Sequence, residues 1–152
     1  MTLLLLRKLK RQVLNINYVD FMEQWLKQVK KISTSMSTND KAKITKAGAK
    51  VFKKELERET REKHYSGHDD KVFGHMADSV VMKGTNIDNI KDGTSIVGFD
   101  HYHASNARRL NDGTKYYVGD HFITNLRERV MPKVLEAEKE EYQKIINKHK
   151  EV

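Results

Sequence analysis

Three long stretches of helical periodicity constrain this chain more than any other feature of its sequence. Apolar residues recur at three- and four-residue steps after Asp20, again between Ile44 and Leu56, and once more after Asp120. Such spacing predicts amphipathic helices that each bury one face. The second helix should fade after Lys63, where a polar, glycine-containing loop follows.

Three local signals refine these predicted helices. Ser37 and Asp40 have the spacing of a capping box, which predicts where the second helix begins. Gly48 costs roughly 1 kcal/mol relative to Ala inside a helix, which suggests that a neighbouring backbone approaches it closely. Pro132 lacks a backbone donor, so it predicts a kink or a restart of the last helix near Val130.

The region between the second and the last helix favours β-structure. Ser79–Lys83 and Thr94–Phe99 are short runs of β-favouring residues. They predict a hairpin whose loop spans residues 84–93. Gly98, inside the second run, indicates a bulge or a close backbone contact. Lys115–Val118 predicts one further short strand.

The central stretch, Asp100–Ile123, changes its period twice. His103–Leu110 has the length of two helical turns, which predicts a short helix. A chain reversal at Asn111–Thr114 and an N-cap at Asp120 are predicted after this helix. The order of elements therefore predicts the α+β class, with a small antiparallel β-sheet packed with two N-terminal helices, a short helix and a long C-terminal helix. The candidate structural residues of the turn and the cap are Asn111, Gly113, Thr114 and Asp120.

The charge of the chain is uneven. The net charge is +8, and residues 1–63 carry 16 Lys/Arg against 7 Asp/Glu, whereas residues 64–152 carry 13 against 14. A basic half predicts a polyanion or an acidic protein surface as partner, and solvated lysine-rich helices explain it equally well. No nucleic-acid-binding module is recognisable, so any contact with DNA would be to phosphates, without reading sequence. A non-specific DNA-binding accessory protein that uses the basic N-terminal half is therefore the alternative function.

The N-terminal segment has an apolar start, Leu3–Leu6, followed by basic residues. Four Leu residues are too few for a membrane span, which needs about 20 apolar residues. A signal peptide would place its positive charges before the apolar run, not after it. We therefore expect no membrane partner, and we divide the chain into an N-terminal extension, residues 1–17, and a single domain, residues 18–152. The extension could form a short amphipathic helix that docks on a neighbouring subunit.

The histidines raise the question of a metal site. His64 and His68 have the spacing of a zinc-protease helix, but that motif needs a Glu after the first His, where Tyr65 stands. His101 and His103 could chelate on a strand, yet no carboxylate spacing completes a recognised set. The chain has no Cys, no Gly-x-Ser-x-Gly elbow and no Gly-rich phosphate loop. The sequence thus predicts a protein that is not an enzyme, with no catalytic, cofactor-binding or metal residues. A metal-dependent hydrolase built on the histidines is kept as a third hypothesis, after the two functions named above and below.

Several short motifs occur in a distinctive order between residues 42 and 137. Their order and spacing resemble the HK97 gp10-like family of tailed-phage head–tail joining and tail-completion proteins. His121 stands where many members have Pro, and the usual Pro is missing from the loop that ends at Gly67. The matching motifs are Gly48–Phe52, Gly74–Val80, Ile96–Phe99, Leu110–Lys115 and Gly119–Ile123.

The resemblance implies structural work in a virion. It implies a homo-oligomeric ring, a hexamer, that links the phage connector or head-completion proteins to the tail terminator or tail-tube proteins. It also implies assembly in the host cytoplasm, a final position at the head–tail interface of the virion, and non-specific contact with DNA in the lumen. Buried apolar anchors would hold such a ring together, and each subunit would bury two different patches. The candidate oligomer-interface residues are Phe99, Tyr102, Arg108, Arg109, Tyr116 and Tyr117.

Overall fold

The computed structural model describes residues 20, 22–27, 36–67 and 71–150, with only the backbone of residues 149 and 150. The chain divides into two units, Met1–Ser37 and Thr38–Val152. In the first unit, Asp20 and residues 22–27 are helical, as the sequence predicts for this stretch. The predicted extension, residues 1–17, and the boundary after it lie outside the described residues.

The second unit belongs to the α+β class, which confirms the predicted fold class. Its long helices begin and end close to the predicted positions, and its two β-hairpins are small and antiparallel. In chain order the elements are helix α1 (Thr38–His64), a 3-10 turn (Met76–Asp78), strands β1 (Val80–Lys83) and β2 (Ile96–Phe99), helix α2 (Ala104–Asp112), strands β3 (Gly113–Thr114) and β4 (Tyr117–Val118), and helix α3 (Phe122–Lys150).

Helices α1 and α3 pack side by side in opposite directions. The ring of His64, at the end of α1, lies 4.5 Å from the ring of Phe122, at the start of α3. Further along, an ion pair joins Glu59 to Arg129. Helix α3 continues without a break through Pro132, so the predicted restart does not occur. The carbonyl that Pro132 leaves without a donor belongs to Glu128, which is exposed, so water can bond it.

The hydrophobic core lies where the start of α3, the end of α1, the first hairpin and α2 meet. Phe122 and Leu126 of α3 are fully buried there. Burying an aromatic or aliphatic side chain of this size contributes about 1.5–3 kcal/mol, so this end holds the fold together. The buried cluster consists of Leu56, Met76, Val80, Ala107, Phe122, Leu126 and Val130.

The β1–β2 hairpin has a regular register in which Val80 pairs with Phe99 and Val81 pairs with Gly98. The bulge predicted at Gly98 is therefore absent, and a Cβ at this position would meet no atom within 4 Å. The loop of the hairpin is attached to α1, because the Thr45 hydroxyl donates to the Gly93 carbonyl at 2.7 Å. The hairpin is thus held against the first turns of α1.

Gly48 is buried between the two long helices, but its close neighbour is a side chain and not the predicted backbone. A Cβ on Gly48 would come within 2.5 Å of Oε1 and 2.7 Å of Cγ of Glu138 on α3. The absence of a side chain at Gly48 therefore makes room for Glu138. Burial raises the pKa of this carboxyl above its ordinary value.

Glu59 is a buried charged residue of α1 where this helix meets α3. Its carboxylate lies 2.5 Å from Nη2 of Arg129 and 3.0 Å from Nζ of Lys63. Burial raises the pKa of Glu59, but the nearby charges of Lys63 and Arg129, with the hydrogen bond from Arg129, outweigh burial and hold the pKa below its usual value. The network thus ties α1 to α3 beside the core.

Candidate functional site

The stretch that joins β2 to α3 holds most of the residues that the sequence singles out. It begins with a histidine that is fixed by its neighbours. Asp100 Oδ1 accepts from the backbone N–H of His103 at 2.9 Å and lies 2.7 Å from Nδ1 of its ring. The other ring nitrogen is 3.3 Å from the Gly74 carbonyl. Both nitrogens of this buried ring are engaged, so His103 anchors the start of α2 and is not placed for proton transfer to a substrate.

The carboxyl of Asp100 responds to this contact. Burial raises the pKa of Asp100, but the hydrogen bonds and charge of His103 outweigh it and lower the pKa below its ordinary value. The carboxyl of Asp100 therefore stays ionised near neutral pH. Its contacts with His103 support the N-terminal end of α2.

The end of α2 differs from the sequence prediction. Asn111 and Asp112 are the last residues of the helix, and the chain then forms the β3–β4 hairpin. Thr114 pairs with Tyr117, so the tight turn lies at Lys115 and Tyr116. The predicted turn at Asn111–Thr114 is therefore wrong, because the helix continues two residues beyond the predicted Leu110. Of the predicted strand Lys115–Val118, only Tyr117–Val118 is a strand, β4.

Gly113 makes the passage from α2 to β3. Its φ is 84°, a left-handed conformation that favours glycine, and a Cβ would come within 2.5 Å of the Gly119 nitrogen. Gly119 is equally crowded, since a Cβ there would overlap the Asn111 carbonyl. The two glycines allow the base of the hairpin to close tightly.

Asn111 caps a helix to which it does not belong. Its Oδ1 accepts from the backbone N–H groups of Ile123 at 2.9 Å and Thr124 at 3.2 Å, in the first turn of α3. Its Nδ2 donates to Asp112 at 2.7 Å and to the Thr124 hydroxyl at 3.2 Å. The residue is buried, so it replaces the water that would otherwise bond these amides. The sequence gives no signal for this role, because the capped residues lie 12 and 13 positions away.

Asp120 serves the same helix end from the other side. Its Oδ1 accepts from the Phe122 N–H at 3.1 Å. Its Oδ2 lies 3.0 Å from Nε2 of His64, although the angle does not suit a hydrogen bond. The backbone N–H groups of Asp120 and His121 donate to the carbonyls of Leu110 and Asn111. Through these contacts α2, the β3–β4 hairpin and α3 form one connected junction.

The β3–β4 hairpin projects apolar side chains into solvent from its turn and from strand β4. Tyr116 is 83% exposed and Val118 is 91% exposed, and Tyr117 is nearly half exposed. The ammonium of Lys115 lies 4.8 Å above the ring of Tyr116. A fully exposed Val next to two exposed Tyr residues is unusual for a surface that meets only water.

Two arginines of α2 lie near Gly113, at the base of this hairpin. Arg108 pairs with Asp112 at 3.4 Å, and both are exposed. Arg109 is exposed and forms no ion pair within the described part of the chain. Both arginines line a shallow concavity of about 350 Å³ together with Ser105. We call Arg108, Arg109 and Lys115–Val118 the hairpin patch.

The remaining candidate interface residues lie apart from this patch. Phe99 packs against the core, with its ring 6.5 Å from that of Phe122. Tyr102 is 68% exposed, and its ring lies 5.0 Å from that of Phe73. Of the six candidates, Phe99 is thus a core residue, Tyr102 lies in a separate aromatic pair, and the other four belong to the hairpin patch.

The histidines of the described residues are dispersed among separate contacts. His64 packs on Phe122, His75 on Tyr65, and His101 on Tyr102. Within residues 20, 22–27, 36–67 and 71–150, no group of three or more His, Asp or Glu side chains could hold a metal ion. None of the helices in these ranges combines the length and the apolar character that a bilayer crossing requires.

The outer face of α1 carries a row of lysines. Lys46, Lys50 and Lys54 recur at four-residue steps, are exposed, and form no ion pair within the described residues. Lys43, in line with them, is paired with Asp40 at 3.5 Å. The row lies away from the buried face that contains Leu56. This row is a continuous basic surface within the basic N-terminal half of the chain.

The comparisons with known proteins add no relative. No protein-family model matches the chain, and neither the curated proteins nor the solved structures yield a significant match.

Proposed function

We propose that this chain is a structural virion protein of a tailed bacteriophage: a ring-forming head–tail joining or tail-completion component that links the connector to the tail tube. The observation that carries the proposal is the hairpin patch. Its turn exposes Tyr116 and its strand β4 exposes Val118 almost completely. Exposed apolar groups next to arginines are typical of protein–protein interfaces, where Tyr and Arg supply much of the binding energy.

The construction of the site favours a binding role over a catalytic one. The polar residues of the α2–α3 junction are used to satisfy backbone groups, as Asn111 and Asp120 do for the start of α3. A catalytic site needs a group that is free to exchange a proton or attack a substrate. The junction instead provides a rigid base for the exposed tip. The resemblance to the HK97 gp10-like family gives this binding role its biological setting.

The test is the state of assembly of the purified full-length chain. We expect a ring by negative-stain microscopy and a multiple of the 17.7 kDa chain mass by light scattering. We also expect association with tail-tube subunits of the same phage. A chain that stays monomeric alone and with connector and tail-tube proteins would contradict the proposal.

The lysine row of α1 supports a second candidate, a DNA-binding accessory protein. Ammonium groups in a row can contact backbone phosphates of duplex DNA without reading sequence, and each contact makes the affinity fall with salt. Binding to random duplex DNA at about 50 mM salt, weakened by Lys46→Glu with Lys50→Glu, would favour this candidate. No binding at that salt concentration would eliminate it.

A further inference from the structure

An open groove is lined by helices α1 and α3 and by the β1–β2 hairpin, and it shares no residue with the hairpin patch. Its volume is about 650 Å³, which is in the range of ligand-binding clefts. Two of its apolar residues, Ile87 and Met131, are 89% and 37% exposed, so part of this apolar surface still faces water. Its other main apolar residues are Ala49, Phe52, Ile96, Val97 and Val134.

One stripe of α3 forms a side of this groove. Arg127, Met131, Val134 and Glu138 all line it, at steps of four, three and four residues. With 3.6 residues per turn, these four positions fall within about 60° of the helix surface. Arg127 and Glu138 are the ends of the stripe and lie about 16 Å apart along the axis, because each residue advances 1.5 Å. The groove therefore has a basic end and an acidic end, with apolar side chains between them.

The carboxylate of Glu138 has no partner within the described residues. It forms neither an ion pair nor a hydrogen bond there, although it is only partly exposed. Burial alone raises its pKa, without an opposing charge or donor. The absence of a side chain at Gly48 admits this carboxyl to the groove, since Oε1 would lie 2.5 Å from a Cβ at that position. The fold thus keeps a partly buried negative charge that a bound cation would stabilise.

The guanidinium of Arg127, at the other end, is exposed and also lacks an ion pair in the part of the chain that the structure describes. An occupant that matches both ends has a basic and an acidic group separated by about 16 Å. A small amine would reach only the end at Glu138. In an extended peptide, residues four positions apart point to the same side and lie about 13 Å apart. The lengths of their side chains cover the remaining distance, so a short extended segment matches the groove.

We infer that the groove binds an extended segment of a partner protein in which an acidic and a basic residue are four positions apart, with an apolar residue midway. The basic side chain pairs with Glu138 and the acidic one with Arg127, while the apolar side chain covers Met131 and Val134. The two opposite charges fix the direction in which the segment lies. This inference goes beyond the proposed function, because it requires neither a ring nor the hairpin patch.

Peptide binding to the full-length chain tests the inference. The probe is a dye-labelled, terminally blocked pentapeptide with the order glutamate, threonine, leucine, threonine, lysine, together with the peptide of reversed order. Fluorescence anisotropy measures its dissociation constant whatever the assembly state of the chain. For the tighter of the two peptides, Glu138→Gln should raise the dissociation constant by about fivefold or more, because the bound lysine loses its charged partner. Arg127→Gln should raise it by about two- to threefold, because the pair at this end is exposed.

Two controls are matched in composition or in charge. A peptide with the order threonine, glutamate, leucine, threonine, lysine places the two charges on opposite sides, and it should bind about fivefold more weakly or worse. Glu136→Gln removes an exposed carboxylate that does not line the groove, and it should leave the dissociation constant unchanged. Circular dichroism of each variant verifies that it folds.

Three results would overturn the inference. Neither ordered peptide binds the wild type, or Glu138→Gln binds as tightly as the wild type, or hexylamine displaces the peptide at an equal concentration, which would make the groove a site for small amines. None of these results bears on the ring, which the assembly state of the chain tests separately.

Discussion

The substitution Asn111→Ala tests the junction on which the exposed hairpin stands. Alanine removes the side-chain oxygen that accepts from the N–H groups of Ile123 and Thr124, at 2.9 and 3.2 Å. It also removes the donor to the Thr124 hydroxyl. The Cβ of the residue and the backbone of α2 remain, and only the small amide group is removed. The expected effect is therefore mainly a loss of polar contacts.

The cost follows from the burial of the site. Loss of an N-cap acceptor at an exposed helix end costs about 1 kcal/mol, because water replaces it in part. Asn111 is buried, at 8% exposure. A buried donor without a partner costs about 1–3 kcal/mol. The N–H groups of Ile123 and Thr124 both lose their acceptor when Asn111 is replaced. We expect Asn111→Ala to lower the free energy of unfolding by about 2–3 kcal/mol.

Urea denaturation followed by circular dichroism measures this difference, and two further variants give it a scale. Asn111→Asp keeps an acceptor oxygen but faces the carboxylate of Asp112, so its stability should lie between those of the wild type and Asn111→Ala. Asn125→Ala removes an exposed side chain with a single weak contact, at 3.5 Å from the Asp120 carbonyl, and should cost less than about 0.5 kcal/mol. If Asn111→Ala costs no more than Asn125→Ala, the cap is not what holds the start of α3.

Three further predictions concern other parts of the fold. The folded-state pKa of Glu59 lies below the ordinary value of a glutamate, so its stabilising effect is present in full above that ordinary pKa and is lost as the pH falls through the folded pKa. Glu59→Gln should therefore cost about 1–2 kcal/mol at neutral pH and progressively less in acid, as urea titrations across pH would show. Gly113→Ala should cost about 1–3 kcal/mol because φ is positive and the Cβ meets backbone, whereas Gly84→Ala, in open space, should stay within about 0.5 kcal/mol in thermal melts. Burial raises the pKa of Glu138, so the ionised carboxylate destabilises the fold above that pKa, and this destabilisation decreases as the pH falls. Glu138→Gln should therefore raise the melting temperature at neutral pH and make the melting temperature less dependent on pH.

The sequence predicts the helices and the first hairpin well, because these elements follow local patterns. Helix α1 begins directly after Ser37, the predicted cap, and ends at His64, one residue after the predicted Lys63. Strands β1 and β2 lie within the two β-favouring runs. In each case the residues that decide the structure are neighbours in the chain.

The predictions that fail depend on residues that are distant in sequence. Asn111 is typical of a turn when only its neighbours are considered, and its role as a cap is set by α3. Gly48 faces a side chain that lies 90 positions away, Glu138. Pro132 is tolerated because the carbonyl it deprives belongs to an exposed residue. These environments form only when the two long helices pack, so no local pattern in the sequence predicts them.

The junction explains how so small a hairpin could serve as the proposed binding surface. An isolated pair of two-residue strands would not be stable in water, and ordering it on binding would cost conformational entropy. Here the backbone bonds from Asp120 and His121 to the end of α2 close its base, and Asn111 fixes that base to α3. Because the junction is already ordered by the fold, less of the entropy is lost when a partner binds. The exposed hairpin and the buried cap are therefore coupled through the junction, and Asn111→Ala should weaken the proposed association as well as the fold.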